Sequence, residues 1–267
     1  MLQPVHERVW LGDDPAKAWA ERVFLLQTPI WMAAVALVIV TGWVHHWRDV
    51  GYLVFGFVAA APAVLGPLVL PSRPDRDQPF WQSYWFRFNV WCFILVAFGT
   101  YFGTGYFFAL MGMRYGFPIE WTFEAEVVGA GDGTVPVFMY PLTQAYFVTY
   151  YAGGVVLLRG LRRRFGLGAL GTALAIGAFA YATAFAETFF MANDRLAEYF
   201  SYADRSRMLA FGSFGYAIYF LIGLPMAYRI DEGGTRWPLR RVVVEGLATC
   251  MMILVGLELW AKLVGPL

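Results

Sequence analysis

Hydrophobic positions along this chain fall into seven long runs, 24–44, 50–70, 88–110, 135–158, 168–192, 208–229 and 242–264, parted by polar segments. Each approaches or exceeds the roughly 20 residues that a helix needs to cross a hydrocarbon layer of about 30 Å. Continuous runs of this length predict helices, because a membrane barrel alternates apolar and polar positions over roughly ten residues at a time. Gly and Pro inside the runs agree, being more frequent in membrane helices than in soluble ones. The pattern therefore predicts an all-α polytopic membrane bundle of about seven transmembrane helices. No internal repeat and no long linker divides it, so residues 1–267 read as a single domain.

The polar segments refine this picture. Residues 1–23 read as a cytoplasmic N-terminal segment at the membrane surface rather than as a secretory signal. The loop 111–134 is the longest, and with Glu120, Glu124, Glu126, Asp132 and the turn-rich stretch 129–133 it is expected as a partly ordered flap on the far side. Pro71, Pro74 and Pro79 stiffen the connection between the second and third runs. With seven crossings, fourteen of the twenty Lys and Arg residues fall on the side of the N-terminus and six on the other. The positive-inside rule then places the N-terminus in the cytoplasm and the C-terminus across the membrane.

Composition supports the same class and removes others. Hydrophobic residues make up 59% and charged residues only 15% of the 267, whereas a soluble domain carries about a quarter charged. A net charge of +1 offers no basic surface for nucleic acid. The cluster Arg159, Arg162, Arg163 and Arg164 reads as an orientation signal facing anionic membrane lipid. Eighteen Arg against two Lys point to a GC-rich genome, hence to a bacterial inner membrane, or the endoplasmic reticulum if the source is eukaryotic. Cys92 and Cys250 lie within apolar runs and read as packing residues rather than a disulfide.

Ordinary catalytic signatures are missing. His6, His45 and His46 are the only histidines, too few and too close in sequence for a multi-histidine metal site across several helices. Neither a phosphate-cradling glycine loop nor a GxSxG elbow occurs. The expectation is an activity without metal or cofactor. What remains is a few acids in apolar surroundings, where an ionisable group marks a functional site unless a structural partner explains it.

Partners sort these acids. Glu245 follows Arg241 by four residues and reads as one half of a helical ion pair; Glu258 precedes Lys262 by four and is open to either reading. Glu187 differs, since Thr183 and Met191 flank it at four residues and no basic group of its own helix neutralises it. It is the leading functional candidate, the alternative being a hydrogen-bonded packing acid. Asp204 has Arg205 and Arg207 beside it and suits a helix cap. Tyr101, Tyr106, Tyr216 and Tyr219 are candidates to line an apolar cavity, although a single membrane tyrosine more often anchors at the interface. Trp85 and Trp91 read equally well as packing.

Several unusual blocks occur in order: Pro15 to Glu21, Phe24 to Trp31, Tyr84 to Trp91 with Asn89 inside, Tyr101 to Phe108, and Gly112 to Pro118. They continue with Glu187-Thr188, Ala192-Asn193, Asp204 to Phe220, Pro225 to Glu232, and Glu258 to Trp260 before Gly265-Pro266. In these blocks, over almost its whole length, the chain resembles the cycloeucalenol cycloisomerases, also called cyclopropyl sterol isomerases. It departs from the plant pattern at Gly105 and Gln144, where plant members carry histidine, and at Glu258, where they carry aspartate.

The resemblance implies a redox-neutral isomerisation. A 9β,19-cyclopropyl sterol of the cycloeucalenol or cycloartenol type, entering from the bilayer, is protonated on the cyclopropane methylene, and loss of the C8 proton yields a Δ8 sterol. Such chemistry needs an acid, a base and a wall that stabilises a cation. An apolar bundle favours the neutral, proton-bearing form of a carboxyl, so Glu187 is the expected donor. Tyr101, Tyr106 and Glu258 complete the expected catalytic set, with a tyrosine or water as alternative bases. Trp85, Asn89, Trp91, Asn193, Asp204, Tyr216 and Tyr219 are the expected substrate contacts. Asn193 is also a candidate to stabilise the carboxylate, and Trp85, Tyr101, Tyr106 and Tyr216 supply aromatic faces worth about 0.5–2 kcal/mol each to a cation. Another sterol double-bond isomerase, or a sterol-binding or transport protein, are the competing readings. A retinal protein is disfavoured because Lys262 lies almost at the end of the last run.

Overall fold

The computed structural model describes residues 7–72, 75–124 and 133–267. His6, Arg73, Pro74, Glu126, Asp132 and most of the turn-rich stretch 129–133 lie outside the described residues. After one turn of helix (α1, Glu7–Trp10), the chain enters α2 (Pro15–Thr41). Asp14 caps α2 by accepting from the backbone N–H groups of Ala16 and Lys17, Pro15 sits in the first turn, and Gly42 ends it at φ 72°. The helix thus starts well before the apolar run at 24, and residues 15–23 are its first turns. α3 (Asp49–Val64) and the single turn α4 (Gly66–Val69) follow.

Four further rods follow. α5 (Tyr84–Phe98), a π-helical turn (Gly99–Gly103) and α6 (Thr104–Met111) run on as 28 residues. α8 (Ala169–Met191) is one helix. The turn α9 (Arg205–Arg207), a second π-helical turn (Met208–Gly212) and α10 (Ser213–Arg229) make 25 residues. The last helix, α11 (Leu239–Leu263), packs on α5 and α10.

Among the described residues, five segments are long and apolar enough to cross a membrane: Pro15–Thr41, Tyr84–Met111, Ala169–Met191, Arg205–Arg229 and Leu239–Leu263. This makes the protein an integral membrane protein. The other two expected spans differ for separate reasons. α3 is apolar but only 16 residues long. α7 (Met139–Phe165) has 27 residues, yet it carries Gln144, several tyrosines and a run of arginines. It stands at the centre, packed by α2, α3, α5, α8 and α10, so protein covers it and its surface need not be as apolar as a lipid-facing one.

Two small sheets lie in the loops beyond the helix ends. β1 (Met113–Tyr115) pairs antiparallel with β4 (Phe200–Tyr202), and β2 (Thr122–Glu124) with β3 (Thr134–Pro136). The loop 111–134 therefore carries ordered strands, one of which ties it to the connection between α8 and α9.

At the opposite end, charged groups meet inside the protein. Arg159 holds both Glu21 oxygens at 2.8 and 2.9 Å and both Glu232 oxygens at 3.0 and 2.9 Å. Lys17 Nζ donates to Glu232 at 2.7 Å and to the Ile230 carbonyl at 2.6 Å. Arg87 pairs with Asp231, which also accepts from Trp237 N–H. This network ties α2, α5 and α7 to the turn after α10. Cys92 and Cys250 are buried and unbonded to each other, and the pairs Arg241–Glu245 and Lys262–Glu258 form at 3.5 and 3.4 Å.

Candidate active site

Glu187 lies in the penultimate turn of α8, between two cavities that it lines together with Tyr146 and Met191. The larger, of about 1080 Å³, is a groove between α2 and α8 with α7 as its floor. Ligand pockets occupy roughly 300–1,000 Å³, so the groove is large enough for a lipid-sized molecule. Its flanks carry exposed apolar side chains, Met32 and Val40 on α2 and Phe189 and Phe190 on α8, which face the surroundings where lipid chains would lie. One end is polar, with Asn193, Asp194, Arg195 and Arg205. Along the floor, the Thr149 hydroxyl gathers hydrogen bonds from Gln27 at 3.1 Å and Trp31 Nε1 at 2.8 Å, which pin α2 to α7.

Behind Glu187, on the protein side, lies a chamber of about 90 Å³. Hydroxyl side chains dominate its polar wall, and β1 and β4 contribute Tyr115 and Tyr202. The Tyr216 hydroxyl donates to Glu187 Oε2 at 2.6 Å, fixing one carboxyl oxygen, and Tyr150 approaches the same carboxyl. Phe107 meets Tyr216 edge-on at 5.1 Å between ring centroids, and Tyr219 meets Tyr216 in the same manner at 5.8 Å. Aromatic faces and edges thus close round the acid, which has the small chamber on one side and the apolar groove on the other.

The π-helical turn Gly99–Gly103 shapes the chamber. A Cβ on Gly103 would lie 1.9 Å from the Tyr219 hydroxyl, so the absent side chain is what lets that side chain lie against the π-turn. π-turns of this kind recur at functional sites.

Of the residues singled out from the sequence, Glu187, Tyr216, Tyr219 and Asn193 come to these cavities. Asn193 does not bond Glu187; its amide donates to the Phe190 carbonyl at 2.7 Å. Asp204 caps the turn before α10 by accepting from Arg207 N–H at 2.9 Å. Glu258 is half-exposed, paired with Lys262, and accepts from Tyr106 at 3.2 Å, away from the cavities described. Tyr101 packs on Phe102. Trp85 and Trp91 are core, the latter edge-on to Tyr151, and Asn89 is bonded to the Ala63 and Trp85 carbonyls and to Gln144. Sequence reasoning missed Tyr146 and Tyr150. Their signal was present: Thr143, Tyr146 and Tyr150 recur at intervals of three and four residues, one face of α7.

A carboxyl held by tyrosine hydroxyls thus lies at the inner wall of an apolar groove in a bundle of membrane helices, which defines the class as an integral membrane protein with a lipid-sized internal groove. Over 266 residues, 97% of its own length and 90% of the relative's, the chain is 33% identical to a protein of Arabidopsis thaliana named cycloeucalenol cycloisomerase. No family model and no solved structure matches it. The chain belongs to the cycloeucalenol cycloisomerase family and is an isomerase.

Proposed function

We propose that the protein opens the 9β,19-cyclopropane ring of a cycloeucalenol- or cycloartenol-type sterol, with Glu187 as the proton donor. The observation that carries this is the position of Glu187, an acid with no cationic partner among the described residues, at the wall of a lipid-facing groove. The sterol enters laterally between α2 and α8, its hydroxyl towards the rim of Asn193, Asp194 and Arg205 and its tail along the apolar flanks. Tyr216 holds Oε2, which leaves the second carboxyl oxygen to carry the proton.

As the C9–C19 bond breaks, its electron pair takes that proton to make the new methyl group, and C9 becomes cationic. Tyr216, Tyr219 and Phe107 supply the aromatic surroundings for this charge, and the Tyr216 hydrogen bond strengthens as the carboxylate forms. The C8–H bond then supplies the electrons of the Δ8 double bond and releases its proton, so atoms and electrons balance without a cofactor. C19 and the C8 hydrogen share one face of the steroid, which allows a single acidic centre to serve both transfers. Glu258, at the surface, takes no part. The bias of basic residues supports an N-terminus in the cytoplasm.

The test is conversion. Purified protein given cycloeucalenol, cycloartenol and a Δ8 sterol is expected to yield ring-opened Δ8 product from a cyclopropyl sterol, identified by mass spectrometry. Conversion of unsaturated sterols alone would assign it to double-bond isomerisation instead.

A further inference from the structure

Tyr146 is 4% exposed, yet its hydroxyl finds no hydrogen-bond partner among the described residues. It sits where the groove and the inner chamber meet, beside Glu187. Buried hydroxyls are almost always bonded, to protein or to ordered water. The chamber offers about 90 Å³ to the centres of water molecules, and one water needs roughly 10–15 Å³ in that measure. Thr100, Thr104 and Thr143 turn hydroxyl-bearing side chains to it, and Tyr115 and Tyr202 roof it from the strands beyond the helix ends. Space, polar partners and an unmet donor coincide on the side of Glu187 away from the lipid.

We infer that the inner chamber is a hydrated proton reservoir for Glu187, with Tyr146 as the positioning residue that holds water at its mouth and the β1/β4 pair as its roof towards the aqueous phase. The inference rests on the donor role given to Glu187 above. Glu187 gives its proton to C19 and, as the carboxylate, takes the C8 proton; the reservoir then exchanges that proton with one from solvent before the next turnover. The groove is less suited to this, since its polar residues gather at one end and Trp31, Val35, Ile39 and Phe179 line the rest, whereas the chamber's hydroxyls stand directly behind the acid.

The experiment uses the full chain in lipid nanodiscs and reads hydrogen–deuterium exchange of the Glu187 carboxyl by infrared spectroscopy, the band being assigned by its loss in Glu187→Gln. Thr143→Leu fills the chamber, while Thr143→Val and Tyr146→Phe remove hydroxyls without added bulk. Exchange is expected to slow at least tenfold in Thr143→Leu and Tyr146→Phe. In turnover of a cyclopropyl sterol in D₂O, deuterium at C19 is expected to fall at least twofold in the same variants, as the C8 hydrogen is returned internally. A variant that merely packs badly lowers the rate and leaves the label unchanged. Wild-type exchange and wild-type labelling in all three variants overturn the inference, as does the lack of any carboxyl band that Glu187→Gln removes. Wild-type protein that opens no cyclopropane overturns the proposed function instead, and the exchange rates then judge the reservoir by themselves.

Discussion

Replacing Glu187 by Gln separates chemistry from binding more cleanly than any other change in this protein. The amide has nearly the volume of the acid, and its carbonyl oxygen accepts from Tyr216 as Oε2 does at 2.6 Å, so the groove and the aromatic surroundings keep their shape. What is lost is the transferable proton. Positioned general acids contribute about 10²–10⁴ in rate, which at about 1.4 kcal/mol per decade is roughly 3–6 kcal/mol of transition-state stabilisation. Turnover of a cyclopropyl sterol, followed by mass spectrometry of the product, is therefore expected to fall by about 10²–10⁴. Equilibrium binding of the same sterol should change by less than about threefold, or roughly 0.7 kcal/mol. Turnover above a tenth of wild type would refute the donor role. Equal losses of binding and turnover would make Glu187 a packing acid, and unchanged turnover would assign the donor role to another group.

Other consequences are as specific. Arg159→Met leaves Glu21 and Glu232 facing each other without their guanidinium, and breaking a buried pair in this way costs about 3–5 kcal/mol, read as a lower thermal midpoint in detergent. For Glu232, burial acts to raise the carboxyl, but the Arg159 hydrogen bonds and the Lys17 charge outweigh it and hold it down at about 2, against 4.5 when free. Because the folded value is the lower one, its stabilisation is complete above about 4.5 and is lost as pH falls from there towards about 2; Glu232→Gln should remove that part of an acid-unfolding curve. Gly103→Ala sets a Cβ against the Tyr219 hydroxyl and should cost about 1–3 kcal/mol of stability along with activity. Adding Tyr219→Phe should restore most of both, and failure of the double variant would show that Gly103 matters for the π-turn alone. Glu258→Gln removes an exposed pair worth about 0–1 kcal/mol, so turnover within twofold of wild type is expected and a tenfold loss would return Glu258 to the mechanism.

The membrane helices were legible because lipid demands unbroken apolar runs, and five segments meet that demand on their own. α7 shows the converse. Its central place comes from tertiary packing, which lets Gln144 and the tyrosines reside in a helix that lipid barely touches, and hydropathy cannot distinguish such a helix from a weak span. The strands of β1 and β4 have three residues each, too short for an alternating pattern to register, and the π-turns depend on what packs beside them. At the site, Glu187 was legible as an acid without a helical counter-charge. Tyr146 was legible only as part of the face Thr143, Tyr146, Tyr150; a membrane tyrosine ordinarily anchors at an interface, and the fold shows its hydroxyl turned inward. In the block from Tyr84 to Trp91, which carries part of the family resemblance, Asn89 and Trp91 lock α5 against α3 and α7, the packing reading that the sequence also offered for Trp85 and Trp91.

The placing of charge explains why the two ends of the bundle differ. Arg87, Arg159 and Lys17 are drawn together with Asp231, Glu21 and Glu232 at one end, where ionised pairs fasten three helices to a turn. At the other end, Arg205 is engaged by the Ala192 and Phe189 carbonyls at the foot of α8, and it does not pair with Glu187. A guanidinium beside a carboxyl favours its ionised form, whereas a tyrosine hydroxyl can partner a carboxyl in either protonation state. An acid that must give up a proton and regain it therefore needs hydroxyl neighbours and distance from cations, and Tyr216 and Tyr150 provide the first condition while the segregated ion network provides the second. Bringing an arginine into the chamber, as in Thr143→Arg, should abolish turnover by holding Glu187 as its carboxylate even where the sterol still binds.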